Sequence, residues 1–239
     1  MKYQYTTLSL ASWILFAATV KADGPVVDKI YHPYVLPLET EVEWRFTANE
    51  RNEDLGEENH TLSQRLGYGF SLSENVTIEG YMVGVRSHDA EFRLESYELE
   101  VRWMVTEQGE YAIDWGMLFE IEKQHKVDNW EVKTGILAET EIGKSSITAN
   151  LFALYEFGET LQNEFETEFT LQYRYRLQPS FQPAVELYAG EDYFGVGPAF
   201  MGAHRFEKQK QIKWEAGFIF GLNNDSSDNT IRIAIEYEY

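Results

Sequence analysis

The feature that most constrains this chain is an alternation of apolar and polar residues at period two that runs from Leu38 nearly to the end. Alternation is the signature of strands, whose successive side chains point to opposite faces, and no helical period of comparable length competes with it. In Tyr111 to Glu122 the odd positions carry Tyr, Ile, Trp, Met, Phe and Ile, while the even positions are small or acidic apart from Leu118. Phe165 to Arg176 repeats the scheme with Phe165, Phe169, Leu171, Tyr173 and Tyr175 on one face and Glu166, Glu168, Gln172, Arg174 and Arg176 on the other. Twelve such stretches can be read, at about 38–48, 60–72, 76–86, 91–105, 111–123, 130–142, 146–157, 164–177, 181–190, 195–206, 212–222 and 229–239. The third and tenth leave their register open, because Gly80, Gly84, Gly197, Pro198 and Gly202 blur which face is apolar.

Tight turns are expected at Ser73-Glu74-Asn75, Glu107-Gln108-Gly109, Gly143-Lys144-Ser145, Gln178-Pro179-Ser180 and Lys208-Gln209-Lys210. They alternate with generally longer polar loops, among them Asn49 to Asn59, Gln124 to Asn129 and Asn223 to Asp228. An even strand number with tight turns on one rim is the layout of an all-β, single transmembrane up-and-down antiparallel barrel over 38–239. A soluble sandwich or small barrel also alternates, so the aromatic residues serve as the test. Lipid-facing strands should gather them at the two interfaces. Trp103, Tyr111, Tyr173, Tyr175, Phe181, Trp214, Tyr237 and Tyr239 fall beside the tight turns, and Phe46, Phe119, Trp130, Tyr155, Phe157 and Phe165 near the opposite rim.

Ahead of the barrel, residues 1–22 pair Lys2 with an uncharged run from Leu8 to Val20 and then Val20-Lys21-Ala22. This is the layout of a secretory signal peptide with cleavage expected after Ala22. Residues 23–37 then form an N-terminal segment on the tight-turn rim, expected to be periplasmic, with a tether, a partial plug and a disordered leader as its possible roles. The final stretch, Thr230 to Tyr239, alternates cleanly and ends on an aromatic residue. It resembles the C-terminal assembly signal of Gram-negative outer-membrane β-barrel proteins, with Tyr237 and Tyr239 as its aromatic positions. That resemblance implies the outer membrane as location, lipid as surroundings and the barrel-assembly machinery as a partner in biogenesis. The run from Gly197-Pro198 through Trp214-Glu215-Ala216-Gly217 is similar to the ends of outer-membrane proteins regarded as transporters.

Charge bounds function. With 40 acidic against 20 basic side chains the formal charge is −20, which excludes a nucleic-acid partner, since phosphate backbones demand clustered Lys and Arg. The absence of cysteine removes disulfides, thiolate metal sites and a catalytic thiol. Among residues on the predicted inward face, the acids well outnumber the bases Arg45, Arg65, Arg102, Lys133, Arg174, Arg176, Lys213 and Arg232. Unpaired carboxylates require water, so a hydrated lumen that prefers cationic or neutral small solutes is expected. Its selectivity element is placed at Glu98, Glu100, Asp114, Glu120, Glu139, Glu166 and Glu168, away from the strand ends. No inward-folding loop is evident to constrict it.

Two other functions compete with that porin-like reading. A plugged structural or docking barrel would bind a partner through its loops or the N-terminal segment. A lipid hydrolase would need a nucleophile with a positioned base, and His32, His60, His88, His125 and His204 offer no pairing with a serine by spacing, so no enzyme is expected. No cofactor is implied, and no metal site either. The acidic stretches Glu50 to Glu58, Glu191-Asp192 and Asn223 to Asp228 lack the spacing of a twelve-residue calcium loop.

Overall fold

A computed structural model describes residues 27–50, 60–87, 90–206 and 210–239. The signal-peptide region, most of the acidic loop before His60, His88 and most of the Lys208 turn lie outside the described residues. The described chain forms twelve strands: β1 Thr40–Glu50, β2 His60–Ser71, β3 Val76–Arg86, β4 Arg93–Met104, β5 Asp114–Gln124, β6 Asn129–Ile142, β7 Ser145–Gly158, β8 Glu164–Tyr175, β9 Gln182–Ala189, β10 Phe194–Arg205, β11 Gln211–Gly221 and β12 Asn229–Glu238. Each pairs antiparallel with its sequence neighbours, and β12 returns to β1, so the sheet closes into a barrel without an open edge. At the seam Tyr239 N donates to Thr40 O at 2.9 Å and Thr40 N to Tyr239 O at 3.3 Å, so the last aromatic residue completes the closure.

Strand faces separate as the alternation requires. Leu66, Tyr68, Phe70, Tyr97, Leu99, Phe119, Ile121, Ile231 and Ile235 are exposed on the outside, whereas Glu41, Glu43, Arg45, Glu98, Glu100, Glu186 and Arg232 are buried inside. A barrel folded in water has the opposite polarity. An apolar exterior over a charged interior is stable only where the exterior meets lipid. Trp103, Tyr111, Tyr173, Tyr175, Phe181, Tyr237 and Tyr239 stand exposed toward the tight-turn rim, and Phe119, Tyr155 and Phe165 toward the other. Trp214, Phe46, Trp130 and Phe157 are half-buried among their neighbours.

The structure settles both ambiguous registers. On β3 the residues Thr77, Glu79, Tyr81 and Val83 face inward, the pairing with β4 shifts between Val83 and Gly84, and Gly84 is covered by the Phe92 ring. The shift passes over Glu95, so the extra residue of this bulge lies on β4. On β10 Gly195, Gly197, Ala199 and Met201 face inward, with Gly202 buried as well. The contrast in turn length is weaker than expected. The connection 105–113 is a folded loop in which Gly109, at φ +75°, donates its N–H to both Asp114 carboxylate oxygens at 3.0 Å, whereas 125–128 and 190–193 on the opposite rim are short.

Candidate lumenal site

The lumen is filled from within the chain. Residues from Val27 to Pro37 run through the barrel before Leu38, at φ +63°, turns the chain toward β1. Of the three roles considered for this segment, a plug is the one that matches its position, and the segment supplies the constriction that no loop was expected to form. An irregular segment brings backbone groups that need partners, and the wall provides them. Asn150 on β7 accepts from Tyr31 N and donates to Tyr31 O, both at 2.9 Å, and Thr170 on β8 holds the same amide by donating to its oxygen at 3.1 Å. Tyr188 on β9 donates its hydroxyl to Asp28 O at 3.0 Å.

The segment's side chains then meet complementary wall groups in order. Asp28 Oδ2 lies 2.9 Å from Arg45 Nη1 and 2.5 Å from Arg65 Nη1, two arginines that face each other across the β1–β2 ladder. Lys29 Nζ lies 3.1 Å from Glu43 and 3.4 Å from Glu236, which face each other across the β1–β12 seam. Tyr31 donates its hydroxyl to Glu100 at 2.8 Å, His32 Nδ1 lies 2.5 Å from Glu139, and Tyr34 donates to Asp114 at 2.9 Å near the rim. Buried charges persist only where they are paired and hydrogen-bonded, and here each charge on the segment has an opposite partner.

Apolar contacts complete the seating. Tyr31 packs with Leu118, Leu137, Phe152 and Leu154, while Val27 and Ile30 pack with Tyr188, Tyr193 and Ile219. Pro33 lies over Gly116 of β5 so closely that a Cβ on that glycine would come within 2.9 Å of the Pro33 Cα and Cβ. Beside Val27 and Asp28 a narrow crevice is lined by Arg45, Thr47, Ser63 and Arg65.

All seven residues placed in the expected selectivity element face the lumen, but they do not form one ring. Glu100 stands opposite Glu120 across β4 and β5 with Glu98 beside them, Asp114 stands opposite Glu139 across β5 and β6, and Glu166 and Glu168 lie on β8. Asp114, Glu98 and Glu139 are drawn into contacts with Gly109, Arg65 and Arg174, and Glu168 into a 2.9 Å pair with Lys133.

The lumenal bases are all paired, and the surplus of lumenal carboxylates over them remains. Arg45 pairs with Glu43 and Asp28, Arg65 with Asp28 and Glu98, and Arg102 with Glu79. Arg176 pairs with Glu141, Lys213 with Glu236 and Glu238, and Arg232 with Glu186 and Glu215. Together with Lys133 and Arg174, every inward base named above has a carboxylate partner.

Sequence reasoning missed Glu79 and Tyr81 on the ambiguous third strand, and it missed the contributions of Asp28, Lys29, Tyr31 and Tyr34. The available signal was Leu118, an apolar residue in an otherwise small or acidic row. Elsewhere, His125 lies edge-on to Tyr97 with its Nδ1 3.2 Å from the Tyr97 hydroxyl, and His204 lies edge-on to Phe206. The Asn223 to Asp228 loop is closed by its own groups, with Ser226 N donating to Asn223 Oδ1 at 3.0 Å and Phe194 N donating to Ser226 Oγ at 2.8 Å. Among the described residues Glu39, Glu41 and Glu238 bring one carboxylate oxygen each within 4.8 Å of the others at the seam, where the Lys213 ammonium already lies on Glu238.

No family model matches the sequence, and no curated protein matches it. Solved structures do match in fold. An outer-membrane channel from Pseudomonas putida F1 is 14% identical with a TM-score of 0.56, over 89% of this chain and 98% of that one. The KdgM porin is 9% identical with a TM-score of 0.52, over 83% and 98%. The translocator domain of the autotransporter NalP from Neisseria meningitidis is 9% identical with a TM-score of 0.57, over 86% and 88%. A channel, a porin and a translocator share the architecture, and at such identities the likeness speaks for the fold alone. The chain therefore has the fold of a Gram-negative outer-membrane β-barrel, with its family unresolved.

Proposed function

We propose that this protein is an outer-membrane channel for small cationic or neutral solutes whose path is closed, in the state described, by its own residues 27–37. The single observation that carries this reading is the segment's position: it fills the lumen of a barrel whose wall is rich in carboxylates. Side chains alone fill narrower barrels, whereas in this twelve-stranded one a chain segment supplies the filling. When the segment withdraws, Lys29 leaves Glu43 and Glu236 while Tyr31, His32 and Tyr34 release Glu100, Glu139 and Asp114. The bared wall then favours cations, with Glu98, Glu100, Asp114, Glu120, Glu139, Glu166 and Glu168 contributing to selectivity. Export through a cleaved signal peptide and insertion by the barrel-assembly machinery, read at Tyr237 and Tyr239, belong to the same proposal.

Single-channel recording in a planar bilayer tests it. The chain from Asp23 should give rare or no openings under a KCl gradient, and a variant lacking residues 23–37 should give stepwise cation-selective currents. A variant that is folded by heat-modifiable gel mobility yet passes no current would overturn the channel reading. It would favour a docking barrel, the alternative that the same filled lumen supports.

A further inference from the structure

Two adjacent residues of the segment, Asp28 and Lys29, occupy two wall sites of opposite sign. Asp28 presents a carboxylate to the Arg45 and Arg65 guanidinium groups, and Lys29 presents an ammonium to the Glu43 and Glu236 carboxylates. The two sites adjoin, because Arg45 Nη2 itself donates to Glu43 Oε2 at 3.1 Å, the same oxygen that Lys29 approaches. Arg45, Glu43 and Glu236 are all buried, and the Arg45 guanidinium is fixed further over the Tyr81 ring, 4.6 Å from its centroid. Thr47 and Ser63, which face each other one step further along the ladder, line the crevice beside the arginine pair and add hydroxyl groups.

We infer that this wall is a dipolar binding site for a zwitterionic solute, and that Asp28-Lys29 is a tethered occupant of it. The solute class follows from the chemistry: a carboxylate for the arginine pair and a primary ammonium for the adjoining glutamate pair, as a short peptide zwitterion carries. A purely cationic solute would leave the two guanidinium groups with only their wall partners Glu43 and Glu98, and a purely anionic one would leave Glu43 and Glu236 with only Arg45 and Lys213. Charge-assisted contacts at both ends make recognition depend on both charges. The site lies on the solute path of the channel proposed above and rests on that reading for its use, although binding can be measured without current.

The tether sets the expected behaviour. A segment held by a short linker competes at an effective concentration in the millimolar range, so a free solute should bind the natural chain about tenfold or more weakly than a chain whose site is vacant. The test is isothermal titration of triglycine into the refolded full chain and into the D28A/K29A variant, each verified as folded by heat-modifiable mobility. The variant should bind one triglycine per barrel at least about tenfold more tightly than the natural chain. Acetylated and amidated triglycine, which lacks both charges, should not bind, and adding R65A to the variant should abolish the interaction. If D28A/K29A does not fold, the near-isosteric D28N/K29Q variant replaces it. Absence of binding by the folded variant, or equal binding of the capped peptide, would overturn the inference. Currents from the chain lacking 23–37 without triglycine binding would remove the inference and leave the channel, whereas binding without current would do the reverse.

Discussion

The lumen has two unlike walls. On the side of β1, β2 and β12 the segment is held by charge, with Asp28 between two arginines and Lys29 between two glutamates. On the side of β5, β6 and β7 shape is added to hydrogen bonding: Tyr31 sits among Leu118, Leu137 and Phe152 and Pro33 over Gly116, while Asn150, Glu139 and Asp114 hold Tyr31, His32 and Tyr34. Charged contacts are directional and lose much when one partner is removed, because the other stays buried and uncompensated. Apolar contacts lose in proportion to the atoms removed and the cavity left. One wall therefore carries recognition, and the other carries position.

Substitutions can break that contrast. The largest effect is expected from Asp28→Ala, which leaves Arg45 and Arg65 facing each other with only Glu43 and Glu98 to compensate them; loss of a buried charge partner costs up to about 3–5 kcal/mol. Single-channel records should show open probability rising by about a hundredfold or more. On the opposite wall Leu118→Ala should weaken seating by about 2–4 kcal/mol. It should show as a lower temperature of heat-modifiable unfolding, because it also opens a cavity against Leu137 and Phe152. Gly116→Leu tests shape without touching charge. The added side chain has no room beside Pro33, and overpacking of this kind costs about 1–3 kcal/mol, so limited proteolysis should cut the displaced segment faster. The smallest change is Tyr34→Phe, which removes one hydrogen bond to Asp114 near the rim and should cost about 1 kcal/mol, read as a modest rise in the same proteolysis rate. A proteolysis rate that ranks Tyr34→Phe above Gly116→Leu would mean that shape does not position the segment.

Much of the wall was legible in the sequence. Period two placed Glu98, Glu100, Glu120, Arg65 and Arg232 inward, and aromatic residues marked both rims, because a strand's geometry assigns faces without reference to the rest of the fold. Legibility failed on β3, where Gly80 and Gly84 carry no side chain to mark which face is apolar. It also failed for residues 27–37, which lack a period because they belong to no ladder and take their hydrogen bonds from Asn150 and Tyr188. The trace that remained was apolar residues in lumenal rows. Leu118, Leu137, Phe152 and Ile219 face a space expected to hold water, and apolar side chains in such a place call for a cover.

That cover is the claim most open to direct measurement, and the absence of cysteine from the chain makes the experiment clean. Ile30→Cys places a single thiol on the segment where it packs against Tyr188 and Ile219, and Ser73→Cys places one on an exposed turn as the reference. With the barrel folded, a membrane-impermeant maleimide should label the Ser73→Cys protein readily and leave the Ile30→Cys protein protected until it is unfolded. Equal labelling of the two folded proteins would contradict a lumen closed by its own N-terminal segment.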